Sequence, residues 1–257
     1  MDWIGGITAV QLAATVAVTL FASFVKGAVG FAMPMIMISG LGSFLPGEVA
    51  LAALILPTVA TNISQSLRQG IGPAVASATR YWRMILCILI FIALSAQLVR
   101  LIPEALFFAL LGVPIAMFAI GQLAGWQPLI APASRTRAEV LTGVIAGLYG
   151  GISGIWGPPV LVYLLSIGVE KQENIRVQGV VFLLGAVVLL AAHLQSGVLS
   201  TDRLALSALL VPPAMVGLWL GFQVQDRLDA ARFRRWTLMV LMITGANLIR
   251  RAWVVWQ

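Results

Sequence analysis

Charge is scarce in this chain. Asp, Glu, Lys and Arg make up 10% of its 257 residues, against about a quarter in soluble domains. With 60% apolar residues and a mean hydropathy of +1.00, the solvent it is built for is lipid. Cysteine is nearly absent: Cys87 stands alone in an apolar run, which excludes a disulfide within the chain. His193 is the sole histidine, and one His with one Cys cannot furnish a metal centre. Glu48, Glu104, Glu139, Glu170 and Glu173 sit at the edges of apolar segments, which argues against a carboxylate relay inside the membrane. No phosphate-binding P-loop and no catalytic constellation is present, so neither ATP hydrolysis nor any other enzymatic role is expected, and no cofactor. The net charge of +7 comes from arginines scattered over short loops. That pattern suits cytoplasmic retention and lipid headgroups rather than nucleic acid. The start, Met1-Asp-Trp, lacks a basic region and reads as a retained first helix, not a cleaved leader.

Apolar segments run at roughly 8–25, 31–45, 49–63, 84–99, 105–125, 138–149, 158–169, 177–194, 204–222 and 236–249. Several approach the ~20 residues a helix needs to cross a bilayer, whereas 31–45, 138–149 and 158–169 are too short to cross alone. Trp3, Trp82, Trp126, Trp236, Trp253 and Trp256 lie near segment ends, where an interfacial aromatic belt belongs. The expected class is an all-α, polytopic membrane protein.

Two stretches break the apolar pattern with glycine and proline: Phe24-Val-Lys-Gly-Ala-Val-Gly-Phe-Ala-Met-Pro34 and Gly147-Leu-Tyr-Gly-Gly-Ile-Ser-Gly-Ile-Trp-Gly-Pro-Pro159. Set against each other at an offset of 124, Gly27 falls on Gly151, Gly30 on Gly154 and Pro34 on Pro158. Paired interruptions at matching places in two halves point to a transporter binding site. The chain then divides into repeats 1–126 and 127–257. The first has a hairpin at 8–45 and spans near 47–67, 81–99 and 104–125; the second a hairpin at 137–169 and spans near 175–195, 203–222 and 234–253.

Charge decides between plain crossings and hairpins. If each broken segment crosses once, basic residues divide almost evenly between the two sides. If each is a hairpin, Arg68, Arg80, Arg83, Arg135, Arg137, Lys171, Arg176, Arg227, Arg232, Arg234 and Arg235 share one side, with only Arg100, Arg203, Arg250 and Arg251 opposite. The second arrangement follows the positive-inside rule. It makes the halves inverted repeats, with both termini away from the cytoplasm.

Lys26 is the one charge well inside an apolar segment, beside the first break. Such charges usually face a cavity, though a lysine can also snorkel to an interface. Gly27, Gly30, Gly151 and Gly154 allow close backbone approach or positive φ. Pro34 and Pro158 suit helix starts, whose N–H groups and positive dipole ends favour an anion; tight packing through small residues is the alternative. Asn62, Gln65, Ser153 and Gln178 offer amides and a hydroxyl that could ligate an oxyanion or simply join helices. Trp156 and Tyr149 flank the second break as wall or core, and Arg68 and Arg176 could gather anions at an entrance. His193 is the candidate for a coupling proton, a hydrogen-bonded interfacial histidine being the alternative.

The pattern F-x-K-G-x-x-G-F-x-x-P with G-x-x-G-G-x-x-G-x-x-G-P-P resembles the TauE/SafE sulfite-exporter family. So do Gly217-Leu-Trp-Leu-Gly-Phe-Gln-Val-Gln-Asp-Arg-Leu228, Phe233-Arg-Arg and Leu241-Met-Ile-Thr-Gly245 near the C-terminus. One departure is Ala32-Met33, where the family often carries further glycines. The resemblance implies gradient-coupled export of a small sulfur-containing or organic anion (sulfite, a sulfonate or a carboxylate) across the cytoplasmic membrane of a prokaryote. The expected partners are that anion and the lipid bilayer, with a homodimer as the possible assembly. An anion channel and a non-transporting membrane assembly factor are the competing readings.

Overall fold

The computed structural model describes residues 7–126, 129–225 and 229–257. Met1-Asp-Trp and Arg227 therefore lie outside the described residues, and the side chains of Lys171 and Arg234 are not described. The described elements are helical throughout: α1 (Ala9–Val29), α2 (Met33–Gly42), α3 (Gly47–Leu67), α4 (Ile71–Arg80), α5 (Trp82–Ser95), α6 (Glu104–Leu123), α7 (Arg135–Ser153), α8 (Gly157–Ser166), α9 (Lys171–Ser196), α10 (Thr201–Leu209), α11 (Val211–Gln225) and α12 (Ala230–Trp256). Short 3₁₀ turns, Ala96–Leu101 and Pro132–Ser134, extend α5 and precede α7. Seven helical stretches among the described residues are long and apolar enough to cross a membrane, while Met33–Gly42 and Gly157–Ser166 are apolar but short. The protein is a multi-pass helical membrane protein.

Both broken segments fold back on themselves. Gln11 near the start of α1 donates to the Phe44 carbonyl just beyond α2 at 3.3 Å. Likewise the Ile130 N–H, just before α7, donates to the Ser166 carbonyl at the end of α8 at 3.4 Å. The two hairpins reach into the bundle from opposite ends. The first tip lies beside the end of α3, where Gln65 donates to the Gly30 carbonyl at 2.9 Å. The second lies beside the start of α3, where a Cβ at Gly154 would come within 3.0–3.4 Å of Leu54 and Leu51.

Hydrogen bonds at each end of the bundle define its two faces. One face carries Arg80 paired to Glu173 at 2.8 Å, Arg68 bonded to Gln225, and Glu139 accepting from the Met84 N–H at 3.3 Å. The other carries Arg203 paired to Glu48 at 2.8 Å and Arg100 and Arg251 bonded to the Ser196 and Ser43 carbonyls. Among the described basic side chains, Arg68, Arg80, Arg83, Arg135, Arg137, Arg176, Arg232 and Arg235 lie at or near the ends of α3, α4, α5, α7, α9 and α12 that meet at the first face. It is the basic end.

Lipid offers little hydrophobic drive between helices, so close backbone packing does the holding. Gly143, Gly147 and Gly151 recur every fourth residue along α7 and press on α5. A Cβ at these positions would lie 2.6 Å from Cys87, 2.7 Å from Phe91 and 2.6 Å from the Ile92 carbonyl respectively. Gly217 and Gly221 do the same between α11 and α1, as do Gly112 and Gly245 between α6 and α12. Pro57 inside α3 cannot donate to the Ala53 carbonyl four residues back. The Ser207 hydroxyl of α10 donates there instead at 3.2 Å and accepts the Leu56 N–H at 3.0 Å. A backbone defect at membrane depth is thereby repaired by a neighbouring helix.

The segment 203–222, expected as one span, lies within one stretch long and apolar enough to cross, Thr201–Gln225, interrupted at residue 210 between α10 and α11, ahead of Pro212-Pro213. The stretch between the spans expected near 47–67 and 81–99 contains α4, whose Ile71 and Val75 are exposed. That is the habit of a helix lying along an interface.

Candidate functional site

The paired glycine-proline motif resolves into three separate jobs. Gly27 and Gly151 are packing glycines: a Cβ at Gly27 would lie 2.9 Å from Gly221 Cα of α11, and one at Gly151 would strike α5. Gly30 and Gly154 end α1 and α7 with left-handed backbone, φ +89° and +70°, as C-terminal glycines do. Their N–H groups bond back to the Lys26 and Gly150 carbonyls, each at 2.7 Å. Pro34 and Pro158 occupy the first turns of α2 and α8. Each chain thus stops, turns and restarts at the hairpin tip, leaving a helix N-terminus facing inward.

Those two helix starts enclose one buried cavity with Lys26. It is lined by Lys26, Pro34, Thr58, Asn62, Gly154 and Trp156, together with Phe31, Ala32, Met35, Ile155, Gly157 and Phe182. Lys26 is 1% exposed. Its ammonium donates to Thr61 Oγ1 at 2.8 Å and to Asn62 Oδ1, and the Thr61 hydroxyl donates in turn to the Pro57 carbonyl at 2.7 Å. No carboxylate among the described residues lines the cavity. Among the described residues, none forms a salt bridge with Lys26.

Two further polar atoms are left over. Asn62 Nδ2 and Thr58 Oγ1 are buried with no hydrogen-bond partner, although unpaired buried polar groups are rare. Asn62 and Thr58 are one helical turn apart on α3, so both sit on the face that meets Lys26. The cavity therefore gathers a cation without counter-charge, two spare donors and two positive helix ends. Chemically, such a set suits an oxyanion. At about 20 Å³ the cavity has room for about one water.

The other candidates fall around this centre. Gln65 bridges the first tip to α9, donating to the Gly30 and Ile175 carbonyls at 2.9 and 3.2 Å. Ser153 closes the second tip, donating to the Tyr149 carbonyl at 2.6 Å and accepting the Ile155 N–H at 3.0 Å. Gln178 bonds Asn174 and lines a separate vestibule of about 290 Å³ towards the basic end. Arg176 is held by Ser77 and Gln69, and Arg68 lies over the Phe222 ring, 4.2 Å from its centre. His193 is fully buried, but its Nδ1 faces Ser196 Oγ at 3.4 Å near the end of α9, and it does not line the cavity. The Tyr149 hydroxyl donates to the Leu111 carbonyl at 3.1 Å, away from the cavity. Thr58, Phe31 and Met35 were not anticipated. For Thr58 the available signal was its spacing of four from Asn62, next to Pro57.

No curated protein and no solved structure matches the chain. Residues 15–248 match the family described as Sulfite exporter TauE/SafE. That match covers nearly the whole bundle, including both hairpin tips and the residues lining the cavity between them, and the chain belongs to this family of membrane anion exporters.

Proposed function

We propose that this protein is a secondary transporter that exports a small oxyanion, a sulfur-containing or organic anion such as sulfite, a sulfonate or a carboxylate. The anion binds between the hairpin tips and is released by alternating access. One observation carries the reading: the buried Lys26 ammonium has only neutral hydrogen-bond partners and shares its cavity with the unpaired donors of Asn62 and Thr58. A bare buried cation is costly, and a bound anion offsets that cost. Lys26 attracts, Asn62 and Thr58 orient, and the starts of α2 and α8 add dipole from opposite sides.

Hairpins entering from opposite ends of the bundle support an inverted repeat, in which two matched halves rock about a shared site. The gathering of basic residues at one end supports placing that end in the cytoplasm, and a prokaryotic inner membrane fits the family and the charge pattern. The test is flux through proteoliposomes loaded with sulfite, methanesulfonate or acetate. Accumulation of one anion driven by a gradient of another, or of protons, is the expected result. Passive conductance of many anions would make the protein a channel, and no flux of any would leave it a scaffold.

A further inference from the structure

Among the described residues, the buried cavity and the vestibule share a single lining residue, Phe31. On its far side the vestibule is bounded by Leu161, Leu165, Val169, Asn174, Gln178 and Gln225, and it opens towards the basic end. On its near side lie Lys26, Thr58 and Asn62. The ring is 3% exposed and meets Phe118 edge-on, 6.2 Å between centres. The opposite wall is different in kind. Around Gly154 the cavity is backed by Leu51, Leu54 and Leu189. The pocket at the other end, about 250 Å³ beside Glu48 and Arg203, shares no residue with it.

The backbone at Phe31 is as unusual as its position. Gly30 before it has φ +89° and Ala32 after it φ +81°, and Ala32 is the one non-glycine with positive φ among the described residues. Left-handed backbone at a residue with a Cβ is strained and persists where the surroundings enforce it. Two such residues in three fix the main chain on either side of Phe31 at the hairpin tip, so its ring, buried and packed edge-on against Phe118, moves by a change of rotamer.

We propose that Phe31 is the gate residue on the basic side, a one-ring septum whose swing joins the anion cavity to the vestibule while the leucine wall keeps the other side shut. This rests on the cavity being the anion site. The test is chemical access to Thr58→Cys in a Cys87→Ala background, with protein in nanodiscs and the anionic reagent 2-sulfonatoethyl methanethiosulfonate. With Phe31 in place modification is slow; Phe31→Ala accelerates it at least tenfold, and Phe31→Leu gives an intermediate rate should the alanine variant fail to fold. Leu54→Ala, which thins the opposite wall, leaves the rate within twofold. An unchanged rate in both Phe31 variants, or equal acceleration by Leu54→Ala, overturns the gate. Methanesulfonate, added as a competing anion, separates the two ideas. Protection by it without any Phe31 effect keeps the anion site and removes the gate. Acceleration without protection keeps the gate and removes the anion site.

Discussion

Replacing Lys26 by methionine separates a binding lysine from a structural one, because the two roles predict opposite changes. The ammonium gives two hydrogen bonds, to Thr61 Oγ1 at 2.8 Å and to Asn62 Oδ1. Methionine has similar length and fills the same space. Thr61 keeps its bond to the Pro57 carbonyl, and the stability lost is that of one orphaned amide oxygen, about 1–3 kcal/mol. Against this stands the removal of a buried charge, whose desolvation costs several kcal/mol. Net stability should hold or rise. Anion affinity should fall, since a hydrogen bond from a charged donor is worth about 1.5–3 kcal/mol, roughly 10- to 150-fold in Kd. Calorimetric titration with sulfite or methanesulfonate gives the affinity, and melting of the detergent-solubilised protein gives the stability. A methionine variant that binds within threefold of the original, or that melts far lower while still binding, would refute the reasoning.

Gly151→Ala should destabilise without acting on the cavity: its Cβ would sit 2.6 Å from the Ile92 carbonyl, forcing α5 and α7 apart at a cost of about 1–3 kcal/mol. A drop in Tm of a few degrees is expected, at roughly 2–4 °C per kcal/mol for a domain approaching this size. Gly72→Ala in α4, with nothing within 4 Å, should leave Tm unchanged or raise it, and equal melting of the two variants would contradict the packing role. For orientation, cysteines at Gln69 and Ser134 in a Cys87→Ala background should be shielded from an impermeant thiol reagent outside intact cells, while one at Ser200 should label. Labelling at Gln69 and not at Ser200 would reverse the topology.

Much of this was legible in the chain, for physical reasons that differ by residue. A lysine inside an apolar run is costly enough that its presence announces a purpose, and Lys26 lines the buried cavity. The glycine-proline breaks were equally visible because lipid tolerates irregular backbone only where it is buried or wet. What pattern could not show was which glycine did which job. Gly27 and Gly30 look alike in sequence, yet one packs against α11 and the other caps α1 with left-handed backbone. Thr58 was hidden because a threonine in a helix commonly satisfies itself on its own backbone, and only the fold shows that this hydroxyl has no partner. Phe31 was hidden because an aromatic in an apolar segment signals nothing until two cavities are seen to meet at it. His193 drew notice as the sole histidine, but sequence cannot report depth, and the fold puts it by Ser196, outside the cavity.

The most direct measurement is an experimental structure of the protein soaked with selenite or a brominated alkanesulfonate, whose anomalous signal locates the anion without ambiguity. The account predicts one peak between the hairpin tips, with an anion oxygen about 3 Å from Lys26 Nζ and within reach of Asn62 Nδ2 and Thr58 Oγ1. A peak confined to the vestibule beside Gln178 and Gln225, or beside Arg203 at the other end, with the space around Lys26 closed, would contradict it.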